Sequence, residues 1–484
     1  MSAGPAVANG ATRRPEVLVI GAGVAGVTAA RELARAGIAV QVLEGRDRVG
    51  GRVHSIRDFC ALPVEAGAEF IHGVDAETWP DVRAAGLAVR PAPLGRRTRF
   101  DLGDGARWLP LQLLHPGTWP TFTILRAIQR LQPPDRSARQ FIEERGYRGR
   151  ARVLAELTLT AHLPGSADEV GMLGLLEDRV LKLESGLNHR VTDGYDRLPQ
   201  HIAQGLDVER NFPVQQIAWR ADGVTIRAAD GRERSARAAI STLPVGVLKS
   251  GTVAFDPPLP EPRLAALDQI VMGPVLKILL HFERPFWPRW MDTLVSGVGA
   301  VRPLFWAPFQ GMLDAPPVLI AYCTGPSAAA LARPSEAEAA AIAVRDLERN
   351  CRAPLPRLVA YRRIDWSADP FARGGYTFVR PGGCGARGRL AAPDTGALFW
   401  AGSAVATPTI AASVQGAFAS GCGPRRRCAR SCRRRSSACA AASRRGDAGH
   451  DSSVRAASAI APSKSATAVA RGALTTRYSS PAAA

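Results

Sequence analysis

The sequence predicts an α/β protein. A Rossmann-type nucleotide-binding domain, assembled from separate segments, is interleaved with an α+β domain, and a basic tail follows. Three observations predict this. Residues 16–44 read as one strand–turn–helix–strand unit around "GAGVAG". Strand and helix patterns of the same kind return near residues 190–255 and 385–421, with stretches of another character between them. Beyond Gly421 the composition changes abruptly. The expected partition is 15–75, 190–255 and 385–421 for the nucleotide domain, 76–189 and 256–384 for the second domain, and 422–484 for the tail.

The elements follow in order. "EVLVI" is a short buried strand, "VTAARELARAG" a helix with a small or apolar face and a terminal glycine, and "IAVQVLE" the second strand. Residues 75–190 are Arg-rich with helical stretches such as "RARVLAELTLTAHL", and read as a helical insertion. "GVTIRAADGRERSARAAISTLP" returns to strands around an Asp-Gly turn. "VLKILLHFERPFW" is a strong strand, "EAEAAAIAVRDLERNC" a helix, and "GALFWAGSAVATPTIAASVQGAFASG" a strand, loop and helix.

Composition narrows the function classes. With 484 residues, 46% hydrophobic and 22% charged, the chain suits a soluble globular protein of two or three domains. The net charge of +19 is unevenly placed: thirteen Lys and Arg against two Asp follow Gly421, which leaves +8 on the body. That is a solvated surface, and no nucleic-acid partner is expected for the folded body. Cys60, Cys323, Cys351 and Cys384 are scattered, as free thiols of a reducing, cytoplasmic compartment would be. The N-terminus has no separate apolar run before the first strand, so Arg13-Arg14 is not read as an export signal. No run of about 18 apolar residues exists, so neither a spanning helix nor a membrane partner is expected. No compact His/Cys/Asp cluster exists in the body, so no metal is expected.

Chemistry begins at Gly21, Gly23 and Gly26. In this spacing the first allows a tight turn, the second lets backbone approach a pyrophosphate, and the third lets helix and strand pack closely. Phosphates then sit at the helix N-terminus, and Glu44, at the end of the second strand, can hold ribose hydroxyls. "GRDRVGGRVHS" follows directly. Arg46, Arg48 and Arg52 surround Gly50-Gly51, which permits a second close approach to phosphate with cations to neutralise it.

Here the chain resembles the flavin-containing amine oxidase family (monoamine oxidases, polyamine oxidases and histone demethylases of that type), whose pattern is a Rossmann turn, an acid, then R-x-G-G-R. The resemblance runs from about residue 16 to residue 421 and is vague over 75–190. It implies non-covalent FAD as cofactor, with Gly67, Ala68 and Glu69 of "EAGAEFIHG" beside the flavin ring and Val214 of "NFPVQQI" at the adenine. It also implies contacts from Gly402, Ser403, Ser413 and Val414 in the last strand–helix segment. Lys277, a lysine in an otherwise apolar strand, is either solvated on an edge or buried with a partner. By resemblance it hydrogen-bonds a water beside flavin N5. Trp366 and Tyr376 would wall the catalytic site, ordinary core packing being the alternative. Two departures stand out. Ser403 replaces a glutamate expected to hold the ribityl chain, and Gly375 stands where covalent-flavin enzymes carry cysteine. The position of a second cage tyrosine falls on Ser413, so a two-tyrosine cage is expected to be absent.

The implied activity is oxidation of a neutral small-molecule amine to an imine, with hydride passing to the flavin and oxygen leaving as hydrogen peroxide. Another oxidase or desaturase on the same scaffold, or a flavin-binding protein without turnover, are the alternatives. For polyamines, Glu69, Glu177 and Asp178 are candidate carboxylates along the entrance. In the tail, Cys422, Cys428, Cys432 and Cys439 are spaced too irregularly for zinc. An arginine-rich segment that binds anions non-specifically is one reading. The favoured one is a shifted reading frame: a start at the third base of the Gly421 codon permits codons for the short closing helix that the family carries. Residues 422–484 are then expected to be disordered, leaving the apolar face under that helix exposed.

Overall fold

The computed structural model describes residues 15–92, 97–179, 188–288, 293–394, 397–406 and 411–423. Strand β1 (Val17–Ile20) is followed by helix α1 (Val24–Arg35) and strand β2 (Val40–Leu43). β1 is central in a parallel five-stranded sheet, ordered Asp207–Glu209, β2, β1, Ala238–Ser241, Leu398–Trp400. A strand covered on both faces needs a continuous apolar run, which is why "VLVI" shows no alternation. Val17 and Val19 face a core shared with α1, while Leu18 and Ile20 face another that holds Trp400 and Ile226. The final helix, Val414–Cys422, packs on α1. Small residues permit that contact: a Cβ at Gly421 would stand 2.5 Å from the Ala25 carbonyl oxygen.

A second, seven-stranded sheet runs Leu358–Asp365, Val275–Phe282, Val318–Thr324, Leu304–Trp306, Thr293–Ser296, Thr98–Asp101, Ala106–Trp108. Val275–Phe282 is paired on both sides, so Lys277 is not on a solvated edge. The helix Glu336–Cys351 opens with a capping box from Ser335 and Glu338. The Asp-Gly turn joins the antiparallel strands Val224–Ala228 and Glu233–Ala236, with Gly231 at φ +87°.

The structure corrects two expectations. The stretch 75–190 is not purely helical: Val89–Pro91, Thr98–Asp101 and Ala106–Trp108 are strands. They are only three or four residues long and Arg-rich, and Thr98–Asp101 gains its partner, Thr293–Ser296, from far along the chain. Leu259, Ala266, Leu267 and Ile270 pack into the core that holds Leu18 and Ile20. The apolar face expected to lie bare is not seen: among the described residues, no large exposed apolar side chain lies on α1 or on Val414–Cys422. The tail from residue 424, with Cys428, Cys432 and Cys439, lies outside the described residues, whereas Cys422 closes the final helix. The described cysteines are all free thiols.

Candidate active site

A cavity of about 1250 Å³ joins the two sheets' inner ends. Its nucleotide half is built from β1, the glycine turn and α1. Gly21 has φ +98°, a conformation open chiefly to glycine. A Cβ at Gly26 would stand 1.9 Å from the Gly21 carbonyl oxygen, so only glycine lets α1 seat on the turn. Gly23 begins α1 with no side-chain cap, and a Cβ there would meet no protein atom within 4 Å. The uncapped N–H groups therefore border open space. Glu44 lines the same half: Oε2 accepts from Ala22 N–H (2.6 Å) and Oε1 from Arg46 N–H (2.9 Å). The Gly50 N–H donates to the Ala22 carbonyl (2.9 Å), which holds "RVGGR" against the turn, and Gly51 has φ +60°. Arg46 pairs with Asp369 and lies over Phe371. Val214 borders the cavity beside Phe212 and Pro213.

Arg52 stands between the halves. It donates to the Gly375 carbonyl (2.6 Å) and to Ser403 Oγ (3.2 Å). Burial, and then repulsion from Arg46, pushes its pKa down to about 10. Ser403 thus offers this cation a neutral acceptor in place of a carboxylate. Ser413 Oγ caps the final helix by accepting from Gly416 N–H (3.0 Å), and Val414 lines the cavity next to it.

In the other half, Lys277 is 3% exposed. Its ammonium donates to the carbonyls of Glu65 and Gly67 (both 2.9 Å) and to Glu69 Oε2 (3.2 Å). Glu69 also receives Arg190 Nε (2.7 Å) and Trp306 Nε1 (3.0 Å). Burial alone would raise the Glu69 pKa, but Arg190 and Lys277 together hold it below the usual range. Trp366 donates from Nε1 to the Ala66 carbonyl (2.9 Å). Tyr376 donates to the His162 carbonyl and shares a hydroxyl hydrogen bond of 2.8 Å with Tyr322. Burial holds both phenols above their ordinary pKa. Phe70, Phe100, Leu154 and Leu304 complete a mostly apolar wall.

The pattern of the family described as flavin containing amine oxidoreductase matches residues 24–423. The chain belongs to this family. It is 31% identical over 448 residues to polyamine oxidase 4 of Oryza sativa subsp. japonica, covering 86% of this chain and 89% of the relative. Two solved structures share the fold. One is a wild-type putrescine oxidase bound to putrescine (TM-score 0.73, 21% identity, 86% and 98% covered). The other is cyclohexylamine oxidase from Brevibacterium oxydans (TM-score 0.74, 19% identity, 88% and 100% covered).

As a family member this is an FAD-dependent amine oxidase, and its residues fit the cofactor. Two helix N-termini, the positive-φ glycines and the open space at Gly23 make a cradle that added Cβ atoms would fill. At Gly67 a Cβ would stand 1.8 Å from the Arg52 carbonyl oxygen and 3.0 Å from Trp366, so this stretch passes the site without a side chain. The structure brings Gly21, Gly23, Glu44, Arg46, Gly50, Gly51, Arg52, Gly67, Ala68, Glu69, Val214, Gly402, Ser403, Ser413 and Val414 together on the cavity, with Lys277, Trp366 and Tyr376. Gly26 acts from behind.

Lys277 has all three donors engaged by protein acceptors and so fixes the segment from Glu65 to Glu69. Some expectations do not hold. Glu69 is locked in a cationic clamp and is no open entrance carboxylate. Asp178 makes a bidentate pair with the fully buried Arg387, Glu177 caps Gly385 N–H, and neither lines the cavity. Tyr376 does have a tyrosine partner, supplied by Tyr322 from the neighbouring strand and not by position 413. Sequence reasoning missed Arg190, Trp306 and Tyr322. Tyr322 pairs in register with Lys277, a relation visible only once the strands are matched.

Two outcomes follow. Gly23→Ala should leave the apoprotein's thermal midpoint unchanged but weaken FAD binding at least tenfold, since its methyl enters only the open space; an unchanged FAD titration would refute the cradle. Lys277→Met should retain flavin and slow turnover about tenfold or more, with a lowered melting temperature because two carbonyls and Glu69 lose their donor. Wild-type rates in stopped-flow reduction and reoxidation would make Lys277 purely structural.

Proposed function

We propose that the chain binds FAD non-covalently and oxidises an apolar amine with a single basic nitrogen, with oxygen as electron acceptor. The observation that carries this reading is charge. Among the described residues only two carboxylates, Glu44 and Glu69, line the cavity. Glu44 belongs to the nucleotide half, and Glu69 is neutralised by Arg190 and Lys277. A second ammonium would leave water for an apolar wall with no anion to meet it, at a cost of several kcal/mol.

FAD, when bound, supplies a two-electron acceptor for the substrate C–H hydride. The overall balance is amine, oxygen and water giving carbonyl product, amine or ammonia, and hydrogen peroxide. Trp366, Tyr376 and Tyr322 orient the amine and exclude water. Of the groups facing it, Tyr376, Tyr322 and His72 are poor bases, and His162 is the other imidazole on the cavity. Tyr376 and Tyr322 stay protonated, and burial pushes the His72 pKa down to about 4. The His72 Nδ1 faces Asn188 Oδ1 at 3.0 Å, so it carries the proton and leaves Nε2 a weak acceptor. We propose that the amine reacts in its neutral form, deprotonated before it enters.

Non-covalent attachment rests on Gly375, where a Cβ would stand 2.2 Å from Val275 Cγ2, and on the cavity, which no described cysteine lines. The free thiols favour a cytoplasmic setting. A second reading, oxidation of di- or polyamines, is favoured by the name of the rice relative.

A peroxide-release screen with added FAD decides between them. Primary alkylamines and arylalkylamines should exceed putrescine and spermidine in kcat/KM by at least a hundredfold, the scale of one unpaired buried ammonium. The acidic limb of kcat/KM should move with the pKa of each amine, because activity rises with pH as the neutral form accumulates. A limb fixed near one pKa for all amines would point to an enzyme base. Preference for spermidine would establish the second reading.

A further inference from the structure

We infer that the surface formed by residues 107–130 docks on an anionic lipid bilayer. Trp108, Leu111, Leu114, Trp119, Phe122 and Leu125 are 43–73% exposed, half of the large apolar side chains that the described residues leave open to solvent. They alternate with residues that anchor the segment. Leu109 and Leu113 pack into the core of Leu154 and Leu157, while Thr118, Thr121, Ile124 and Ile128 are buried. Gln112 Nε2 donates to the Phe100 carbonyl (2.6 Å), Thr118 Oγ1 to the Gln112 carbonyl (3.0 Å), and Thr121 Oγ1 to the Thr118 carbonyl (2.7 Å). The helix Leu109–Leu113, the tight turn Pro116–Thr123 and the helix Ile124–Gln129 are thus fixed from below and present an apolar outer face by construction.

The charges around this face choose the partner. No Asp or Glu occurs from residue 105 to residue 134, whereas Arg107, Arg126 and Arg130 do. Arg107 reaches Asp104 at 3.1 Å, but Arg126 and Arg130 form no ion pair among the described residues. Indole, phenyl and leucyl groups beside unpaired arginines fit the headgroup boundary of a bilayer, where apolar tips enter the acyl region and cations meet lipid phosphates. A second copy fits poorly, because a two-fold contact would set this acid-free surface against itself and leave its cations unpaired. No described helix is long and apolar enough to cross a membrane, so the protein would lie on the surface. The sequence-based expectation of no membrane partner considered only spanning.

The test uses the full FAD-loaded chain and vesicles of phosphatidylcholine, alone or mixed with phosphatidylglycerol. The chain should float with the mixed vesicles, and brominated acyl chains should quench its tryptophan emission. The basic tail cannot give that quenching, since Trp400 is the last tryptophan. Trp119→Ser/Phe122→Ser should lose vesicle binding at least tenfold and most of the quenching. Arg126→Gln/Arg130→Gln should lose roughly tenfold or more on mixed vesicles, with little change on phosphatidylcholine alone. Both variants should keep the wild-type flavin absorbance. Absence of binding by wild type would overturn the inference. So would binding that the Trp119/Phe122 variant retains, which assigns it to the tail, or a dimer that this variant dissociates in sedimentation without any vesicle binding.

Discussion

A buried carboxylate with three donors organises this molecule. Glu69 is taken out of water, which by itself would drive it neutral. Instead Arg190, Lys277 and Trp306 converge on it from three other segments. Each belongs to a different strand: Asn188–Val191, Val275–Phe282 and Leu304–Trp306. The clamp therefore knits the chain leaving the arginine-glycine loop to the sheet that builds the apolar half of the cavity. Loss of one partner leaves an uncompensated charge in the interior, a far larger disturbance than loss of a surface pair.

That clamp also sets the chemistry. Because the ammonium of Lys277 spends its other two protons on the carbonyls of Glu65 and Gly67, the glycine at 67 is held where no side chain could fit. The electrostatics of the two halves then diverge. The nucleotide half presents free backbone N–H groups and the guanidinium groups of Arg46 and Arg52, suited to phosphates. The apolar half presents aromatic faces, neutral phenols and a carboxylate whose charge is already cancelled. Arg52 has only neutral acceptors, Ser403 and the Gly375 carbonyl, which leaves a depressed guanidinium between the halves.

The nucleotide half was legible in the sequence because its signal is local. Gly21, Gly23, Gly26, Glu44 and "RVGGR" lie within about thirty residues, and their spacing alone dictates turn, helix and acid. Lys277 was legible as an anomaly, a lysine in a strand otherwise apolar. The groups that gather around it and Glu69 were not, because Arg190, Trp306 and Tyr322 arrive through pairings between distant strands. The short strands within 75–190 take their order from distant partners, Thr98–Asp101 from Thr293–Ser296 and Val89–Pro91 from Asn188–Val191. Within the apolar run "WLPLQLL" the fold turns Trp108, Leu111 and Leu114 outward and packs Leu109 and Leu113 inward. Burial of a residue depends on what covers it, and periodicity within one segment does not state that.

We propose that cancellation of the Glu69 charge excludes a second ammonium from the cavity. The direct measurement is the ratio of kcat/KM for an alkylamine to that for the matching α,ω-diamine in Arg190→Met, where Glu69 keeps Lys277 but loses its shortest partner. The account predicts that the ratio falls at least tenfold towards the diamine, on FAD-loaded protein with unchanged flavin absorbance. An unchanged ratio in a folded, flavin-loaded variant would contradict it.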